Sequence, residues 1–162
     1  MDQIFLAVQK RIIDRVPEIK WVDFDFGQLD AYEMRPPVLF PCALIDIELP
    51  DIEDEGKDKQ ICSCSVTLRL AFEQPGQTNS KTPKPIMDKA MTVFAGLRKV
   101  FLAVHGLQGP DFGKLKRRSL LTEKREDPLK VFKMRFECNL TDHIVIEKPH
   151  IKLAPVVIVE TT

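Results

Sequence analysis

The sequence predicts an α+β fold, an antiparallel β-sheet built from two hairpins with two helices packed on one face. Two paired stripes predict the sheet. Cys62, Cys64, Val66, Leu68, Leu70 and Phe72 alternate with Ser63, Ser65, Thr67 and Arg69, and Phe132, Met134, Phe136, Cys138 and Leu140 alternate with Lys133, Arg135, Glu137 and Asn139. That period belongs to antiparallel strands with one apolar and one wet face, an arrangement that makes surface rather than an enclosed pocket. One helical stripe predicts the cover: Ile86, Ala90, Val93, Leu97, Val100 and Val104 recur at the helical period. The length of 162 residues suits one sizeable core and is short for two.

The elements follow in order. Asp2 is placed to cap a first helix whose residues Phe5, Val8, Ile12 and Val16 share a face, and Pro17 stops it. From Ile19 to Phe26 the period becomes that of a strand, with Val22, Phe24 and Phe26 opposed by Trp21, Asp23 and Asp25, and Gly27 ends this short strand or extended edge. The run from Arg35 to Pro41 is too rich in proline for a central strand and leads as extended chain into one from Cys42 to Leu49. Asp51 to Asp58 reads as a long acidic loop before the strand from Gln60 to Phe72. Gln74 to Lys84 is polar and punctuated by Pro and Gly, an exposed loop. The long helix then runs from Pro85, suited to a first turn, to Val104, with Met87, Phe94 and Phe101 widening its stripe and Gly106 ending it. Leu115 to Arg125 pairs with Leu129 to Thr141 around Glu126-Asp127-Pro128. Residues 1–142 are thus expected as one α+β domain. Residues 143–162 are expected as an extended tail that carries Pro149, Pro155 and the apolar run Val156, Val157, Ile158 and Val159.

Charge and motifs narrow the chemistry. The 24 basic and 24 acidic residues cancel, so no global field recruits nucleic acid or an anionic membrane, and a dedicated DNA binder is disfavoured. No apolar run approaches the length that spans a bilayer and no stretch reads as a secretion signal, so the expected place is the cytosol, where the triplet Asn139-Leu140-Thr141 carries no glycosylation meaning. Cys42, Cys62, Cys64 and Cys138 all fall in strand-like segments, as reduced core thiols do. Cys62 and Cys64 are spaced like half of a zinc site but continue the Val66-Leu68-Leu70 stripe, and no second close pair completes a ligand set. Pro50-Asp51 with Glu55-Gly56-Lys57 is superficially like a nuclease metal signature. Both halves lie in one acidic loop, without the rigid frame that this chemistry needs. His105, His143 and His150 have no relay partners in sequence, and Gly106-Leu107-Gln108-Gly109 follows a helix instead of preceding one, the wrong order for anion capture. No cofactor, metal or catalytic residue is expected. Lys114, Lys116, Arg117 and Arg118 form the one dense basic cluster, either a contact for phosphates or an acidic protein surface, or a strand edge that charge protects from aggregation.

Three stretches, Trp21 to Leu29, Arg35 to Ile45 and Val66 to Phe72, resemble small structural proteins of bacteriophages and prophages, of the tail-completion or tail-terminator type. The element order fits that family over residues 1–142: an N-terminal helix, a hairpin, a long helix and a second hairpin. The tail from His143 lies outside the pattern. The resemblance implies a non-enzymatic ring, usually of six copies, that caps the tail tube and joins it to the head. Its implied partners are copies of itself, tail-tube proteins and head-tail connector proteins, with no membrane and no specific nucleic acid. The implied locations are the bacterial host cytoplasm during assembly and then the virion tail. The family has no catalytic residues to carry over. Interface candidates come from charge and apolar exposure: Lys114, Lys116, Arg117 and Arg118, with Val156, Val157, Ile158 and Val159 in the tail. Two alternatives stay open: another head-tail connector or tail-tube subunit, and a small cytosolic α+β enzyme or ligand-binding domain, which would need a concave apolar pocket with convergent polar groups.

Overall fold

The computed structural model describes residues 1–30, 38–73 and 76–143. Helix α1 (Asp2–Arg15) is followed by strands β1 (Trp21–Phe24), β2 (Cys42–Asp54) and β3 (Lys59–Glu73). Helix α2 (Lys84–Val104) comes next, then strands β4 (Lys116–Glu123) and β5 (Leu129–His143). The strands make one sheet in the order β1-β2-β3-β5-β4. Every pairing is antiparallel except that of β1 with β2, which is parallel. The fold is therefore α+β, with a five-stranded, mostly antiparallel sheet.

The two alternating stripes lie side by side at its centre. The β3–β5 ladder runs from Lys59↔His143 to Glu73↔Leu129, so Val66 faces Phe136 and Leu68 faces Met134 on one side of the sheet. Both helices cover that side. Ile4, Phe5, Val8 and Ile12 of α1 and Ala90, Val93, Leu97, Val100, Ala103 and Val104 of α2 share one core with the strand stripes. Each Val, Leu, Ile or Phe buried there contributes about 1.5 to 3 kcal/mol relative to exposure. Leu97→Ala is expected to cost about 2 kcal/mol, the low end for a core leucine, because the groove beside it against Phe101 and Leu120 lets the site collapse. A chemical denaturation curve checks this, and a loss below about half a kcal/mol would mark Leu97 as unpacked.

Several sequence expectations change. Met1, not Asp2, is the N-cap of α1, and Asp2 sits in its first turn without a side-chain cap bond. The edge strand β1 is parallel to β2 because the chain crosses over before Cys42, and Phe5 stacks on Phe24 with ring centroids 3.8 Å apart, tying α1 to that edge. Half of the acidic loop expected over Asp51 to Asp58 is strand. β2 continues to Asp54 and the turn is only 55–58, closed by the Glu55 N–H donating to the Lys59 carbonyl at 2.8 Å. Acidic side chains weaken strand propensity, but here they point to water while the backbone bonds are kept.

The face away from the helices is not uniformly wet. Leu29, Val38, Phe40, Cys42, Leu44, Ala71, Leu129 and Val131 form a second core at one end. The ends of β2 and β3 are apolar at consecutive positions (Cys42 to Ile45, Leu70 to Phe72), so both faces there need cover. Residues 27–30 and 38–40 supply it. The Arg35-Pro36-Pro37 run and everything beyond His143, including His150 and Val156 to Val159, lie outside the described residues.

Candidate functional site

The basic cluster at the start of β4 divides between two surfaces. The stretch from Gly106 to Leu115 is pinned to its neighbours before the strand begins. Gly106, at φ +79° where a side chain would be strained, donates its N–H to the Leu115 carbonyl at 2.8 Å. Gly113 donates to the Asn139 carbonyl at 2.8 Å, and Phe112 and Leu115 are buried. From this fixed entry, strand alternation sends neighbouring side chains to opposite faces. Arg117 turns to the helix side and stacks its guanidinium 3.9 Å over the Phe101 ring. Lys114, Lys116 and Arg118 line a groove of about 550 Å³ on the opposite face, together with Asp51, Ser63, Arg135 and Glu137. Arg118 donates to Glu137 at 2.7 Å, and Arg135 donates to Ser65 at 2.8 Å. Lys114 and Lys116 are exposed and have no ion-pair partner among the described residues.

A second charged constellation lies on the same face, and sequence reasoning missed it. Alternation places Arg69 on the polar side of β3, where it is expected in water, yet it is only 7% exposed. Its guanidinium is bidentate to Glu123 through Nε at 3.2 Å and Nη2 at 2.9 Å. It also donates to Asp25 at 3.1 Å and to Asp30 at 2.7 Å. Arg125 reaches Glu123 at 2.7 Å and Asp127 at 2.9 Å, and its Nη2 donates to the Leu29 carbonyl. These contacts clamp the covering segment 25–30 to the far strands β3 and β4, sealing the rim of the second core. Burial opposes the charge of Arg69, but the carboxylates of Asp30, Glu123 and Asp25 more than offset it and raise its pKa. Burial alone would raise Glu123; donation from Arg69 and Arg125 instead brings it down to about 2.

That shift fixes the sign of an acid response. A carboxyl whose folded pKa lies below its ordinary value takes up its proton first in the unfolded chain, so its contribution to stability is complete above that ordinary value and is lost as pH falls through the folded one. For Glu123 the window runs from about 4.5 down to about 2, and Asp30 and Asp127, also lowered by their arginines, add to it on the acid side. Thermal stability is therefore expected to fall steadily as pH drops through that window. Flat stability there would contradict the network.

The other candidates stay dispersed. Asp51 stands on β2, while Glu55 lies in the turn and pairs with Lys59, so the nuclease-like spacing makes no common site. Among the described residues no three His, Cys, Asp or Glu side chains gather where a metal could be held. All four cysteines are buried. Cys64 and Cys138 face each other across β3 and β5, and burial pushes Cys42 up to about 12. His105 packs against Phe101, its Nδ1 accepting the Arg117 N–H at 3.2 Å, and His143 ends β5. No described helix is long and apolar enough to cross a membrane.

No family model matches this sequence and no curated protein matches it. Among solved structures, the chain is similar to one from the virion of a native gene transfer agent particle, with 10% identity over 85% of this chain and 94% of that one, at a TM-score of 0.51. At that identity the likeness is one of fold.

Proposed function

We propose that this chain is a non-enzymatic structural protein of a phage-type particle, a tail terminator or tail-completion protein that forms a ring on the tail tube and joins tail to head. The observation that carries this reading is the near end-to-end fold likeness to a chain of a gene transfer agent virion, found for a sequence whose packing stretches resemble tail-terminator proteins. The surface supports it. The large groove on the open face is lined by charges partly paired with one another rather than by convergent catalytic groups. Exposed Leu6 and Ile13 on α1, and Phe94 and Leu102 on α2, leave apolar area on the helix layer that subunit contacts would bury. In this reading the protein assembles in the host cytoplasm and stays in the virion tail. Its partners are its own copies, the tail tube and the head-tail connector, and residues 151–162 add a further contact through Val156 to Val159.

The test is electron microscopy of purified protein with isolated tail tubes. Rings bound at one end of each tube support a terminator. Binding along the wall, or to connectors alone, favours the second reading, a tube or connector subunit, which the same fold likeness accommodates because it names a particle and not a place in it. No binding to tubes or connectors sinks both. Deletion of residues 151–162 followed by light scattering tests the tail, and identical assembly of truncated and full-length chains would remove it from the interface.

A further inference from the structure

The chain has no net charge, yet the two open edges of its sheet carry opposite signs. On one side β1 pairs only with Cys42 to Ile45, so the rest of β2 has no outer neighbour among the described residues. That free edge reads Asp46, Glu48, Asp51, Glu53 and Asp54 with no basic residue between them, and all five are exposed. On the other side β4 is bonded, among the described residues, only to β5, and its entry reads Lys114, Lys116, Arg117 and Arg118 with no acidic residue between them. Register places the two sets level. Glu48 pairs with Ser65, Ser65 with Glu137 and Glu137 with Lys116, so one row crosses the sheet from acid to base.

Although Asp51 shares a groove with Lys114 and Lys116, no ion pair among the described residues joins the two edges. Three strand spacings separate them, about 14 Å, beyond the screening length of about 8 to 10 Å at physiological salt. Protection against strand addition explains charge on each edge but not the choice of sign. Like charge on both edges would keep copies apart, whereas opposite charge invites the left edge of one copy to the right edge of the next.

We propose that the acidic outer edge of β2 in one copy docks on the basic entry of β4 in the next. The contact is heterologous: each copy uses one edge to give and the other to receive, and such contacts close into a ring when the rotation between neighbours divides a full turn. The inference rests on the ring-forming reading above and adds which surfaces meet. The exposed lysines Lys114 and Lys116, which have no ion-pair partner among the described residues, take carboxylates of the neighbour, and the complementary potentials steer the copies into register.

Charge reversal on full-length protein tests it by light scattering and native mass spectrometry. Glu48→Lys, Asp51→Lys and Glu53→Lys together leave the β2 edge with three bases against two acids, and Lys114→Glu, Lys116→Glu and Arg118→Glu together leave the β4 entry with three acids against one base, so the first protein has two basic edges and the second two acidic ones. Each triply substituted protein alone should stay monomeric, with circular dichroism and melting close to the parent's because the changed residues are exposed. An equimolar mixture should assemble again, in rings of even copy number only, and assembly of the parent should weaken about tenfold or more as salt rises from about 0.05 to about 0.5 M. If both reversed proteins assemble as the parent does, or the mixture stays monomeric, the edge contact is wrong while the ring reading stands. A parent protein that stays monomeric at every salt, with and without tail tubes, overturns the ring reading and the edge contact together.

Discussion

Replacing Arg69 with Met is expected to cost about 3 to 5 kcal/mol of folding stability, the range for removing one partner of a buried ionic network. The side chain keeps its length and apolar stem, so the loss isolates the guanidinium. Asp25 and Glu123 would then face each other with little access to water, since their side chains are 10% and 17% exposed. Arg125 and Lys133 still reach Glu123, but no other basic group among the described residues pairs with Asp25. Arg69→Lys should recover only part of the loss, because a single ammonium cannot be bidentate to Glu123 while also bonding Asp25 and Asp30. The acid response gives an independent check. With Arg69 in place, lowered carboxyl pKa values make stability fall as pH drops. Without it, Glu123 and Asp30 lose the lowering that Arg69 supplies, so stability of the Met variant should fall less steeply with acid than the parent's. Urea melts at pH 7 and pH 4 read both effects. A loss under about 1 kcal/mol, with the parent's pH slope retained, would show that water entering past the exposed Asp30 replaces the arginine.

What the sequence made legible depends on the range of the interaction. Alternation within β3 and β5 and the helical stripe of α2 are local patterns, and they placed the principal core on the correct face, from Cys62 to Phe72 and from Met134 to Leu140. The β2 strand was read short because Pro50 and the acids after it suppress strand propensity, while the β3 partner that holds them lies further along the chain. The second core was invisible for a related reason. Leu29, Val38 and Leu129 belong to three separate segments, and only their convergence buries them.

Charged residues show the same limit. Alternation gave Arg69 the correct face, but its partners Asp25, Asp30 and Glu123 stand 44, 39 and 54 residues away. A lone arginine between Leu68 and Leu70 was the sole local hint. The basic cluster at β4 read as one patch, whereas strand geometry with an irregularity between Arg117 and Ser119 sends Arg117 to the helix side and the rest to the groove. The opposite signs of the two edges became meaningful only with strand order. Without knowing that β2 and β4 lie at opposite sides of the sheet, the acidic run and the basic run are merely two polar segments.

Phe136→Ala should also cost about 3 to 5 kcal/mol, by a mechanism unlike that of Arg69. Phe136 is fully buried, pairs with Val66 on one side and Arg117 on the other, and sits where β3, β4 and β5 meet the helix layer. Removing its ring leaves a cavity that strand backbones, held by ladders on both sides, cannot close, so transfer and cavity terms add. Phe136→Leu should cost about 1 kcal/mol, since most of the volume is kept. Leu121→Ala, on the outer face of β4 and 62% exposed, should change the monomer by less than about half a kcal/mol. The contrast separates scaffold from surface. Phe136 packs the centre of the sheet against the helix layer, and the proposed ring needs that sheet folded, so Phe136→Ala should weaken assembly and monomer stability together. Lys114→Glu with Lys116→Glu should weaken assembly alone. If Phe136→Ala left the melt unchanged, the packing of β4 on this core would be wrong, and with it the placement of the basic edge.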